Sequence, residues 1–496
     1  MYAVLSPASQ IRVSQRQFTS ALENDADMAT ETGLQGKLVS VSGETARFRF
    51  TVQTRTFGTL HEQLRLPLQG SGSGTRVVLK PQDMFPGLRA GERLRRDEVL
   101  GRRGSILAAD GTPLAEGPAR TSPIPSVASA IVGTVGPIPS DEQAAYAAQG
   151  YPAQAQVGQD GLELIFQKRL AGHPGGTLLA GHRMLARKRA IAGKTVKTTI
   201  VPSLEQAAID AIGTNYAGLT VLSQTGRIEA AAGIAFTDLQ PPGSTMKIIT
   251  ATAALQAGLA TLDTEYPYES STTLDGFTMQ NSAGETCGGT LLNAFATSCD
   301  TVFAPLGATI GAKRLVGTAQ RFGFDRSTGI PTAVTSTIPS VSKIGDALAV
   351  GSSAIGQGKV QASTLEMADV AATIADHGKR PLPTMRAGAK PRYVHVTTPK
   401  VADDVQQMME AVVSFGTGTT AAIPGVTVAG KTGTAELGNT AGQADNTKLT
   451  DSWFVGYAPV GAPKAIVCAL FPSSGFGADV AAPAVRGVLE SALGLT

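Results

Sequence analysis

Polar and apolar positions alternate in short runs over the first hundred residues, then change character. Lys37 to Val41, Thr45 to Arg55, Thr59 to Leu68 and Arg76 to Lys80 each read as a strand, separated by turns such as Ser71-Gly72-Ser73-Gly74. A polar helix is predicted ahead of them, over residues 14–31. Residues 118–157 hold Pro118, Pro123, Pro125, Pro137, Pro139 and Pro152 and much alanine, which predicts irregular structure. From Val196 onward the elements lengthen. Lys197 to Ala208 reads as a strand running into a helix, and Gly218 to Ile234 as a hairpin about Gln224-Thr225-Gly226. Met246 to Leu255 is apolar and unbroken, the mark of a buried helix, and a helical middle is expected after it. Val426 to Ala429 reads as a strand that Gly430 to Thr434 continues. Ser452 to Pro459 and Lys464 to Leu470 follow as the next two strands of one antiparallel sheet. A last helix is expected near Ala482 to Leu493. The pattern predicts a multidomain α+β protein, with an antiparallel sheet flanked by helices on both faces.

Composition narrows the function classes. A chain of 496 residues has room for two to four domains. The formal net charge of +3 is too small to suggest nucleic-acid binding, and no basic run stands beside aromatics. The histidines His61, His173, His182, His377 and His395 lack ligand spacing, so no metal is expected, and no cofactor. Cys287 and Cys299 stand twelve positions apart, and a bond between them would pin the loop they bracket; spacing alone leaves that open. Cys468 falls in a predicted core strand as a small hydrophobe. No run of eighteen apolar residues appears.

Three short strings carry chemistry: Ser244-Thr245-Met246-Lys247, Ser298-Cys299-Asp300 and Lys431-Thr432-Gly433-Thr434. Pro241-Pro242-Gly243 breaks the chain just before Ser244, which places this serine at a helix start with Lys247 one turn on, on the same face. A lysine that accepts a proton must be neutral. Moving its pKa from about 10.4 to near 7 disfavours the charged form by roughly 4 kcal/mol. Burial and a second cation both act in that direction, and Lys431 is the expected cation. Gly433 would let a substrate backbone approach closely. Ser340-Val341-Ser342-Lys343 repeats the first spacing without the Pro-Gly lead-in or the long helix behind it.

The three strings in this order resemble the penicillin-binding protein and serine β-lactamase superfamily, most closely the class B, monofunctional penicillin-binding proteins. The resemblance extends to Arg103-Gly104-Ser105 through Pro113-Leu114-Ala115, to Gly158-Gln159-Asp160-Gly161-Leu162-Glu163 with Leu170-Ala171-Gly172, and to Ile355-Gly356-Gln357-Gly358 and Thr364-Leu365-Glu366-Met367-Ala368. It implies three domains: 1–97, similar to the NTF2-like N-terminal domain of MecA-type proteins, 98–195, a pedestal or dimerisation domain, and 196–496, a transpeptidase domain.

The resemblance also implies roles. Ser244 would attack the carbonyl between the terminal D-alanines of a peptidoglycan stem peptide, and Lys247 would take its proton. Ser298 would pass a proton to the leaving D-alanine, and Lys431, Thr432 and Thr434 would hold the terminal carboxylate. The N–H groups of Ser244 and Thr434 would receive the oxyanion. β-Lactams would act as covalent inhibitors, a glycosyltransferase would be the partner enzyme, and no nucleic acid is implied. The implied location is the outer face of the bacterial cell membrane, with the family's tether absent from the chain as given. One position departs from the pattern: Asp300 stands where Asn is usual. An ionised carboxylate only accepts hydrogen bonds and favours a charged Lys247, so reduced β-lactam affinity is expected. The alternatives are a β-lactam hydrolase and a catalytically quiet cell-wall scaffold. Against the first, Asp300, Asp325 and Asp346 are the sole acids between Glu285 and Glu366.

Overall fold

The computed structural model describes residues 1–436 and 450–495. The polar helix α1 spans Gln15–Met28, and a reciprocal cap starts it: Ser14 Oγ accepts from the Gln17 N–H while the Gln17 side chain accepts from the Ser14 N–H. Four antiparallel strands follow in sheet order: β1 (Glu31–Ser42), β2 (Thr45–Thr54), β3 (Gly58–Gln69) and β4 (Arg76–Val77). Val52 and Leu60 on one face of this sheet are buried with Ala29, Phe57 and Phe85. The same core takes in Leu178, about 90 residues beyond Phe85.

Leu178 arrives on a second sheet. Strand β5 (Leu94–Val99) pairs antiparallel with β6 (Gly175–Ala180), which pairs with β7 (Arg183–Lys188). The division expected at 97/98 therefore falls inside a strand, with Asp97 opposite Thr177 and Glu98 opposite Gly176. Residues 118–157 are more regular than their prolines predict. They hold two short helices, α2 (Pro125–Ile131) and α3 (Gln143–Ala148). Pro125 occupies the first turn of α2, where the missing N–H costs nothing. Glu163 is fully buried and sits 2.6 Å from the Nε atoms of both Arg103 and Arg120. It thereby ties together the two distant stretches that carry the family resemblance in this region. A lone buried carboxylate would be costly, and the two guanidiniums are what allow it to stay.

The C-terminal part is built on one five-stranded antiparallel sheet. In chain order its first helix and hairpin are α4 (Pro202–Ile212), β8 (Gly218–Leu222) and β9 (Ile228–Gly233). Next comes helix α5 (Lys247–Gln256). The expected helical middle is interrupted here. β10 (Ser271–Leu274) and β11 (Phe277–Gln280) form a hairpin around Asp275-Gly276, both with positive φ, the favoured chemistry for a two-residue turn. A strand β12 (Cys287–Thr290) precedes helices α6 (Leu291–Ala296) and α7 (Asp300–Ile310). Then come α8 (Thr364–Ala375), α9 (Pro399–Ser414), β13 (Ala429–Glu436), β14 (Thr450–Ala458), β15 (Ala465–Phe471) and α10 (Ala481–Leu493).

The sheet order is β9-β8-β15-β14-β13, so β13 lies at one edge. It starts three residues later than expected, because Val426 turns back to bridge Ile423. Helices α4 and α10 cover one face of the sheet and α8 the other. Every residue of α8 and of β14 is buried, which is why neither shows a polar stripe in the sequence. Among the described residues no helix is long and apolar enough to cross a membrane.

Candidate active site

A single turn of 3-10 helix, Gly243–Met246, leads into α5 and presents Ser244 half-buried. Backbone contacts on two sides hold this turn. The Gly243 N–H donates to the Gly356 carbonyl at 3.0 Å, and a Cβ on Gly356 would stand 2.0 Å from the Gly243 oxygen. A Cβ on Gly243 would meet the Thr434 oxygen of edge strand β13 at 2.7 Å. Gly356 belongs to a stretch recognised in the sequence by likeness alone; its physical task is to let the loop before α8 clamp the serine turn. Ser244 Oγ and the Ser244 N–H have no hydrogen-bond partner among the described residues. Both are left for something else.

Gly433 has a structural task of its own. Its missing side chain would point at the Pro242 oxygen (2.8 Å) and Thr245 Cγ2 (2.9 Å), so it admits the serine turn. The Thr434 carbonyl faces the same turn. In an antiparallel strand the N–H and C=O of one residue share an edge, so the Thr434 N–H also lies on the open edge beside Ser244.

Lys247 and Lys431 are both fully buried. Lys247 Nζ donates to the Ser298 carbonyl at 2.6 Å and to Ser298 Oγ at 3.2 Å, and Asp300 Oδ1 lies 2.8 Å away. An ammonium has three protons, and three acceptors take them. That is why Lys247 shows no bond to Ser244 here: in its charged form it has no lone pair to offer. Lys431 Nζ donates to the same Ser298 Oγ at 2.9 Å and to the Thr432 carbonyl at 3.1 Å. The Ser298 hydroxyl thus accepts from both lysines and keeps its own proton free. The rings of Phe303 and Phe295 lie 5.6 Å from Lys247 Nζ and Lys431 Nζ respectively.

Ser298 sits in the left-handed region (φ 61°), uncommon for a residue with a side chain. Its neighbours hold it there. The Cys299 N–H donates to the Ala294 carbonyl, and Cys299 is bonded to Cys287 on β12, which closes the disulfide that spacing left open. Asp300 opens α7, where the helix dipole favours a negative charge. Asn281, buried, accepts from the Thr301 N–H and fastens the same turn. Sequence reading missed Asn281 and also Thr417. Thr417 Oγ1 meets Thr432 Oγ1 at 2.5 Å, and its N–H donates to the Ala296 carbonyl, linking β13 to the end of α6. Thr434 Oγ1 accepts from the Gly477 N–H at 3.4 Å. The second Ser-x-x-Lys, Ser340 to Lys343, lies on the exposed surface.

Burial pushes both lysines below the usual range, as expected for Lys247, but the second cation does not act as expected. Lys431 was to depress Lys247. Instead Lys247 is lowered by desolvation alone, with Asp300 opposing. Lys431 falls well below the usual range through burial and then through the charge on Lys247. The physical reason is distance: the carboxylate touches Lys247 and not Lys431.

The comparisons with known proteins agree with this architecture. The family model for the penicillin binding protein transpeptidase domain matches residues 214–490, and that for the penicillin-binding protein dimerisation domain matches 110–198. The peptidoglycan D,D-transpeptidase PbpA of Mycobacterium tuberculosis is 35% identical over 282 residues, covering 52% of this chain and 56% of that protein. PbpA of Mycolicibacterium smegmatis is 36% identical over 283 residues, 52% of this chain and 56% of its own length. The matched stretch thus spans little more than half of these relatives. Among solved structures, the D,D-transpeptidase domain of a peptidoglycan glycosyltransferase from Eggerthella lenta superposes with a TM-score of 0.65 at 27% identity, covering 80% of this chain and 99% of that one. The ceftriaxone acyl-enzyme of M. tuberculosis penicillin-binding protein A gives 0.64 at 26% identity, covering 79% and 98%. With its transpeptidase model matching more than half the residues and the dimerisation model preceding it, this chain belongs to the class B penicillin-binding proteins.

Proposed function

We propose that the protein is a serine-type DD-transpeptidase that cross-links peptidoglycan stem peptides through an acyl-enzyme on Ser244. The observation that carries this reading is the Ser298 hydroxyl shared by two buried lysines beside a serine whose own hydroxyl is unbound. Ser244 Oγ adds to the carbonyl carbon between two D-alanines and gives its proton to Lys247. The oxyanion is received by the N–H groups of Ser244 and Thr434. As the C–N bond breaks, a proton passes through Ser298 Oγ to the leaving amine. The amine of a second stem peptide then takes the acyl group and frees Ser244.

The unequal surroundings of the two lysines give this sequence a trigger. Burial disfavours the charge on both lysines; Asp300 opposes this at Lys247, while the charge on Lys247 adds to it at Lys431. A substrate carboxylate beside Lys431, Thr432 and Thr434 favours a charged Lys431. A proton can then cross from Lys247 through Ser298 to Lys431, which makes Lys247 a base at the moment the substrate is held.

The names of the relatives support the reaction class, and the family supports action outside the cytoplasmic membrane with a glycosyltransferase as partner. The N-terminal domain, with its helix and four-stranded sheet, suits an NTF2-like spacer. Water-activating acids for a hydrolase find no support: Asp325 is held by the Ile338 N–H and Gln320, and Asp346 caps the helix that starts at Ala347. The test is intact mass spectrometry of the protein with benzylpenicillin. A persistent adduct on the peptide containing Ser244 is expected; rapid turnover of the drug without an adduct would show a hydrolase, and no reaction a scaffold.

Asp300 also sets a rate. Its charge favours protonated Lys247, so Asp300→Asn is expected to lower the lysine pKa further. Acylation at pH 7 should then rise about ten- to hundredfold, with the pH–rate profile moved toward acid. Second-order acylation rates equal to the parent across pH would count against a kinetic role for the aspartate.

A further inference from the structure

We infer that the outward face of the N-terminal sheet docks on an anionic lipid bilayer, independently of the chemistry at Ser244. The register of β1, β2 and β3 puts Lys37 opposite Arg49 and Arg47 opposite Arg65, all four exposed and on one face. Directly opposed residues have Cβ atoms about 5 Å apart. Positions two apart on a strand are about 7 Å apart. Four cations therefore share a small grid. Like charges placed directly opposite each other destabilise a sheet. Nothing acidic on the face offsets them: its other positions are Gln, Ser, Thr and Gly residues with Val39, His61 and Pro67, Glu62 points to the opposite face, and Glu44 lies in the β1–β2 turn. None of the four has a carboxylate partner among the described residues. A sheet that keeps two opposed cation pairs at a cost, with no internal counter-charge, is complementary to an external anion.

Three of the four are arginines, whose forked N–H groups suit phosphate oxygens. They rise from an open face spanning three strands, about 10 Å across. A plane of charge matches a plane of head-group phosphates better than it matches one polymer chain. The bulge in β1 between Leu38 and Ser40 adds Val39, which is 54% exposed beside Arg47 and can sink to head-group level.

The test is co-sedimentation of the whole chain with vesicles of phosphatidylcholine, alone or mixed with phosphatidylglycerol. Binding is expected only to the mixed vesicles and should weaken with salt. Each cation contributes about a factor of five in partitioning, so the quadruple variant K37Q/R47Q/R49Q/R65Q should bind several hundredfold more weakly. The double variant R47Q/R65Q should lose about twentyfold, and it carries the test if the quadruple variant does not fold. Thermal midpoints equal to or above the parent's are expected, because opposed like charges are removed. Failure of the parent to bind mixed vesicles, or equal binding by the variants, overturns the proposal. So does retention on inorganic polyphosphate without vesicle binding, which would assign the face to a free polyanion.

Discussion

Replacing Ser244 with alanine is expected to abolish the penicillin adduct completely while leaving the fold untouched. The two halves of this result have separate causes. The hydroxyl is the atom that forms the ester, so no slower route remains. The same hydroxyl has no hydrogen-bond partner among the described residues, so its removal orphans nothing. The thermal midpoint should stay within about 2 °C of the parent. An adduct that survives on the variant would move the nucleophile elsewhere, with Ser298, the hydroxyl shared by the two lysines, as the first candidate.

Lys247→Met, which keeps the length of the side chain and removes the amine, should lower acylation about 10²- to 10⁴-fold, the usual contribution of a positioned base. It should also change the pH profile. In the parent the rate rises with pH until Lys247 is neutral, at a pH below the ordinary lysine range because burial disfavours its charge. The variant should show no such limb. Stability carries the opposite accounting. A lysine whose folded pKa lies below its unfolded value is charged at a cost in acid. That cost is relieved as pH climbs from the folded pKa toward 10.5. The parent should therefore gain stability over that window, and Lys247→Met should gain less. Acylation rates measured from pH 6 to pH 10 on both proteins, with thermal melts in the same buffers, check both statements; identical profiles would remove Lys247 from the role of base.

The nucleophile string was legible because its information is local. Pro241-Pro242-Gly243 forces a break, and the apolar run after Lys247 can only be a buried helix, so hydroxyl and amine had to lie one turn apart. The last three strands were legible for a similar reason: β-branched and aromatic runs separated by turns leave little choice. The hairpin at Asp275-Gly276 was equally local and was overlooked, since its flanking strands are short and exposed. The clamp by Gly356 could not be read at all. Nothing near residue 356 says that its missing side chain makes room for residue 243, more than a hundred positions earlier. The unequal surroundings of the two lysines also escaped. They depend on a carboxylate at 2.8 Å from one amine, a difference that no spacing encodes. The joining of the N-terminal core by Leu178 belongs to the same class, a long-range closure without a period.

The bond between Cys287 and Cys299 passes through the middle residue of the Ser298–Asp300 string. Sulfur atoms are oxidised in pairs outside the cytosol and kept apart within it. Under reducing conditions the loop that carries Ser298 would lose this tie to β12, and the hydroxyl between the two lysines would be held less firmly.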